Sequence, residues 1–164
     1  MQILDHTQIS QKIKRLAYQI LESNYDQEEI ILAGINNNGL GFAKMLKKQL
    51  EKIGDTRILL KNLRLNPAAP VEFPVKINIT PEEMNGKVVV VVDDVANTGR
   101  TMFYAMKVFM DAIPQKIETV VLIDRKHKAF PVEMNHFGLS LATTVQNNIE
   151  VDLSDPKNMF VFIN

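Results

Sequence analysis

Residues 88–101 read VVVVVDDVANTGRT: five valines, two aspartates, a short spacer, then Thr98, Gly99, Arg100 and Thr101. A strand with one wet face alternates apolar and polar residues, so an unbroken β-branched run predicts a strand buried on both faces. Such strands lie in parallel sheets covered by helices on either side. A helix should therefore follow, and Met102, Ala105, Met106, Phe109 and Met110 supply its apolar stripe.

Upstream, residues 30–35 (IILAGI) form a second short apolar run, ending in the polar turn Asn36, Asn37, Asn38 and Gly39. Phe42, Ala43, Leu46, Leu50 and Ile53 then recur at helical spacing. At the N-terminus Ile9, Ile13, Leu16, Ala17, Ile20 and Leu21 mark an amphipathic helix with Thr7 as its N-cap. Residues 57–65 and 71–79 read as two strands around a Pro-rich loop, with Pro74 making the second an edge or irregular strand. Residues 117–123 form another apolar strand, ending in Asp124 and Arg125. Past Pro131, apolar pieces at 134–141, 149–153 and 159–163 read as small strands capping the sheet. The order predicts one α/β domain over residues 1–164. Its doubly wound, mainly parallel sheet has helices on both faces and a small hood from the chain ends, with ligands outside the carboxyl ends of the strands.

Nineteen basic residues balance nineteen acidic ones, so no global field favours nucleic acid or anionic membrane. There is no Cys, which excludes disulfides and thiolate metal sites. The first ten residues lack a signal-peptide pattern, and no apolar run reaches the roughly 20 residues of a membrane span. The expectation is a soluble cytoplasmic protein. His6, His127 and His136 are not at metal-ligand spacing from one another.

The central loop has a chemical use. Paired carboxylates can accept the hydrogen bonds of vicinal ribose hydroxyls, and N–H groups of a Gly-containing turn at a helix start suit a 5′-phosphate. Gly99 allows close backbone approach, and the Thr98 and Thr101 hydroxyls add donors. Each residue alone could equally turn or cap the chain, but two carboxylates after a fully apolar strand are a poor choice for solubility.

The string resembles the phosphoribosyl-pyrophosphate (PRPP) motif of type I phosphoribosyltransferases. With ILDHTQI, IILAGI, VVLIDRKHKAFPVE and the hydrophobic end, the chain is most similar to the pyrimidine operon attenuation regulator/uracil phosphoribosyltransferase family. The resemblance implies transfer of phosphoribose from PRPP to a nucleobase, with a pyrimidine such as uracil as the expected acceptor, Mg²⁺ as cofactor and a homodimer as the assembly. Asp93 and Asp94 would hold the ribose hydroxyls, directly or through the metal. Ala96, Asn97, Thr98, Gly99, Arg100 and Thr101 would bind the 5′-phosphate, and Asn36, Asn37, Asn38 and Gly39 the diphosphate. Asp124 would stand near the metal and Arg125 near the diphosphate, Arg64 would serve the catalytic loop, and His136 and Phe137 would form the hood over the base.

Three departures keep other readings open. Relatives place a basic residue where Asn36, Asn37 and Asn38 are neutral. The flexible loop, LRLNPAAPVEFP, is short and lacks the family's acidic pair. Asn97 replaces the Asp of purine-salvage relatives, which argues against hypoxanthine or guanine. One alternative is a non-catalytic regulator that senses PRPP or a nucleotide. The other, RNA binding, rests on the family likeness and on Lys126 and Lys128, for which solvent exposure is the simpler expectation.

Overall fold

The valine run opens β5 (Val88–Ala96), and all five valine side chains are fully buried. The structure is a computed structural model that describes residues 1–144 and 146–164. In chain order β5 is preceded by β1 (Gln2–Leu4), α1 (His6–Ser23), β2 (Glu29–Ile35), α2 (Asn36–Ile53), β3 (Arg57–Arg64), β4 (Lys76–Ile77) and α3 (Pro81–Met84). It is followed by α4 (Arg100–Ala105), a 3-10 turn (Met106–Phe109), β6 (Lys116–Arg125), β7 (His136–Leu141), β8 (Ile149–Asp152) and β9 (Phe160–Ile163).

The main sheet runs β4-β3-β2-β5-β6-β7, all parallel except β4. Side chains alternate across a strand, so the valines divide between two cores. Val88, Val90 and Val92 pack with residues of α1 and α2, while Val89 and Val91 pack with Met84, Met102, Ala105 and Phe109 on the other face. A second, antiparallel sheet, β1-β9-β8, joins the two chain ends.

Several elements differ from the sequence expectation. Asp5, not Thr7, caps α1, through a capping box with Gln8 that satisfies two backbone donors reciprocally. Of residues 71–79 only Lys76–Ile77 pairs, and Pro74 removes a ladder donor just before it. The Asn36–Gly39 stretch is no free loop but the first turn of α2. β7 does not cap the sheet; it extends the main sheet as a parallel edge. Met110 is 75% exposed, since the helix tightens to three residues per turn at Met106 and rotates Met110 off the apolar stripe.

At the amino edge of the sheet, buried Glu118 accepts hydrogen bonds from Asn24 Nδ2 (2.6 Å) and Ser23 Oγ (3.1 Å). It also pairs with His136 Nε2 (2.7 Å) and Lys116 Nζ (3.2 Å). Burial pushes its carboxyl up, but the bonds from His136, Asn24 and Lys116 and the charge of His136 outweigh this and hold it at about 2, below its usual 4.5. A depressed carboxylate stabilises the fold above its ordinary value and loses that contribution as pH falls through the folded one. Thermal unfolding should therefore show a loss between pH 4.5 and about 2 that Glu118→Gln lacks.

Candidate active site

The two aspartates lie inside β5 rather than beyond its end: Asp93 pairs with Val121, and Ala96 with Asp124. On the other side the ladder to β2 stops at Gly34 and Val92, because β2 turns into α2 one residue later. That early exit opens the β2 side of Asp93 and Asp94. Gly39 makes it geometrically possible, since a Cβ there would stand 2.5 Å from the Val92 carbonyl oxygen and 3.3 Å from Asp93 Oδ1.

The aspartates serve two cavities. Asp93 lines one of about 200 Å³ with Ala96, Asn97, Thr98, Gly99, Arg100 and Thr101, closed by Pro67, Val95 and Met102. Asp94 lines the other, of about 270 Å³, with Asn37, Asn38 and Gly41 of α2 and with Val151, Asp152, Leu153 and Ser154. Asp93 Oδ1 accepts from Asp94 N (2.9 Å) and Asp94 Oδ1 from Val95 N (2.8 Å). Burial, the Asp94 charge and a hydrogen bond shared with the Asp94 carboxyl push the Asp93 carboxyl well above the usual range, against a smaller opposing effect of the backbone bond.

Gly99 adopts the left-handed conformation (φ 85°, ψ 2°) and opens α4, whose first-turn N–H groups have no intrahelical acceptors. Arg100 adds a cation at the cavity wall, its guanidinium 5.8 Å from the Tyr104 ring centre. The loop can thus hold an anion by backbone donors and one Arg. The second cavity has carboxylates on two sides, Asp94 and Asp152, and the start of 18-residue α2 contributes the partial positive charge of a helix N-terminus.

Other predicted residues do not join the cavities as expected. Asn36, with φ 51°, turns away: its Nδ2 donates to the Leu65 carbonyl (3.0 Å) and its Oδ1 accepts from Leu65 N (3.1 Å). It fastens the end of β3 to α2 and leaves Asn37 and Asn38 to line the second cavity. Asn36→Ala should cost about 2 kcal/mol in urea unfolding, through two lost bonds and left-handed strain, and Asn36→Gly should recover the strain part. Arg64 is exposed at the end of β3 and lines neither cavity.

Arg125 is buried and each of its three guanidinium nitrogens donates a hydrogen bond within the protein, so it is not free for a diphosphate as expected. Asp124 is paired with Lys128 at 2.7 Å, and the Lys128 side chain is partly buried rather than fully solvated. His136 and Phe137 pair with Val120 and Val121 at the amino end of β7. In a parallel strand that end lies roughly 13 Å from the level of Asp124, so they cannot roof the cavity. The roof is built by Val151, Asp152, Leu153 and Ser154. The signal missed there was the Asp-Leu-Ser string after an apolar piece, in which Asp152 Oδ1 accepts from both N and Oγ of Ser154.

A strand-loop-helix turn with free backbone donors beside paired carboxylates, at the carboxyl edge of a parallel sheet, has the chemistry to suit a phosphorylated sugar. Residues 1–155 match the phosphoribosyl transferase domain family, and the chain belongs to it. It is 33% identical to the Bifunctional protein PyrR of Bacillus pumilus over 162 residues, covering 93% of this chain and 90% of the relative. To the Bifunctional protein PyrR of Listeria monocytogenes serotype 4b it is 33% identical over 166 residues, covering 95% and 91%. Among solved structures, the hypoxanthine phosphoribosyltransferase of Trypanosoma cruzi superimposes with TM-score 0.78 at 14% identity, covering 98% of this chain and 95% of that one. A hypoxanthine-guanine phosphoribosyltransferase of Bacillus anthracis gives 0.74 at 20%, covering 85% and 81%. These structures share the fold, an α/β architecture with a mostly parallel sheet. No helix among the described residues is long and apolar enough to cross a membrane.

Proposed function

We propose that this protein transfers the 5-phosphoribosyl group of PRPP to a pyrimidine-like base such as uracil. The observation that carries the reading is the division of Asp93 and Asp94 between an anion cradle and a second cavity at the start of α2. A ribose lying across the end of β5 would place its 5-phosphate in the cradle and its hydroxyls at Asp93 and Asp94. The diphosphate would then face Asn37 and Asn38. The C1–O bond to diphosphate breaks, a bond from C1 to a ring nitrogen forms and that nitrogen's proton leaves to solvent, through a transition state with oxocarbenium character that negative charge at the end of β5 would stabilise.

Among the described residues no three His, Asp or Glu side chains cluster to hold a metal, and Asp124 is engaged by Lys128. The donor set fits a cation bound chiefly by substrate oxygens, with Asp94 and Asp93 as hard oxygen partners. When bound there, Mg²⁺ would neutralise the leaving diphosphate. Pyrophosphate release with PRPP, Mg²⁺ and a panel of bases tests the proposal: release with uracil but not hypoxanthine is expected, and no release with any base overturns it.

A second reading, ligand sensing without turnover, draws on the lack of a basic side chain among the described residues lining the second cavity and on the commitment of Asn36 to Leu65. It predicts PRPP binding in calorimetry without release. Assembly as a homodimer belongs to the same proposal and is read by light scattering. RNA binding keeps only exposed Lys126 from its original pair; steeply salt-dependent RNA affinity in a gel shift would support it.

A further inference from the structure

Among the described residues Arg125 is the one buried arginine, and its guanidinium is used on three sides. Nε donates to Thr143 Oγ1 (3.0 Å), Nη2 to the Thr144 carbonyl (2.6 Å) and Nη1 to Asn97 Oδ1 (3.3 Å). The first two partners lie just after β7, and the third lies in the anion cradle.

The same turn grips the cradle again. Lys128 Nζ donates to the Asn97 carbonyl (3.1 Å), to Asp124 Oδ1 (2.7 Å) and to the Arg125 carbonyl. Ala129 N and Phe130 N donate to the Thr98 carbonyl at 2.9 and 3.2 Å. The turn after β6 therefore supports Asn97 and Thr98 from behind, leaving the cavity side of the loop open.

We infer that Arg125 is a positioning residue: anchored on Thr143 and Thr144, it sets the conformation of the cradle through Asn97 and so determines affinity for the phosphorylated end of the substrate. A cradle of backbone N–H groups works only when these are aligned in advance, because ordering a loop at the moment of binding subtracts from affinity. The planar guanidinium holds three acceptors in fixed directions, which a Lys ammonium cannot reproduce. The inference rests on the reading of the cradle as a phosphate site.

The decisive variant is Thr143→Val, which removes one anchor of Arg125 and lines neither cavity. Its affinity for ribose 5-phosphate in calorimetry should fall about threefold, Arg125→Lys should lose about tenfold, and Thr143→Ser should bind like wild type. In PRPP turnover, Thr143→Val and Arg125→Lys should raise KM with little change in kcat. Thr143→Val combined with Arg125→Lys should bind no more weakly than Arg125→Lys alone, as residues acting through one contact are not additive. Additive losses, or a Thr143→Val protein that loses thermal stability but keeps wild-type affinity, would overturn the inference while leaving the site intact. A wild-type chain that binds neither ribose 5-phosphate nor PRPP would overturn the transferase reading, and this inference with it.

Discussion

Asp93→Asn is expected to raise the thermal stability of the ligand-free protein near neutral pH while reducing its PRPP affinity about a hundredfold. The two effects share one cause. Burial and the neighbouring Asp94 charge disfavour the ionised Asp93 carboxyl in the folded chain, pushing it well above its usual range. A raised carboxyl favours folding below its ordinary value, and that contribution is lost as pH rises through the folded one. Wild-type stability should thus decline with rising pH in a range where the Asn variant stays flat. Asn keeps an oxygen to accept from Asp94 N, so the local turn survives. It lacks the charge that would hold a ribose hydroxyl or a cation. Unfolding scans at pH 5, 7 and 9 beside PRPP calorimetry check both halves, and a variant less stable than wild type at every pH would refute the account.

Gly39→Ala is expected to lower Tm by roughly 10 °C, from an overpacking cost of about 3 kcal/mol in a chain of this size. Its new methyl would lie 2.5 Å from the Val92 carbonyl oxygen and 3.3 Å from the Asp93 Cα, so the first turn of α2 must move off the end of β5. That displacement opens the seam between the two cavities, and PRPP affinity should fall with stability. Gly41, one half-turn on, is the control. Nothing lies within 4 Å of a Cβ placed there, so Gly41→Ala should gain up to about 1 kcal/mol of helix propensity. Equal effects at the two positions would show that close approach at Gly39 is not what matters.

Much of the architecture was legible because hydrophobic periodicity is a local property. The valine run, the helical spacing before residue 21 and the apolar pieces at 30–35 and 117–123 each recorded their own burial. What misled was local chemistry with a distant partner. Asn36 looked like a ligand amide, and its partner is Leu65. Arg125 looked like a free cation, and its acceptors lie 18, 19 and 28 residues away. His136 looked close to the site because it follows β6, but a parallel crossover returns the chain to the far edge before β7 begins.

The sequence by itself determined the buried central strand, the helices on both faces, the paired carboxylates and the glycine turn, because each depends on residues within a few positions of one another. Only the tertiary structure decided that Asp93 and Asp94 open into different cavities, since that follows from where β2 leaves the ladder at Val92. It also decided that the roof comes from Val151, Asp152, Leu153 and Ser154, which stand beside Asp94 only because the chain ends meet in a second sheet. Long-range pairing of that kind leaves no period in the sequence to read.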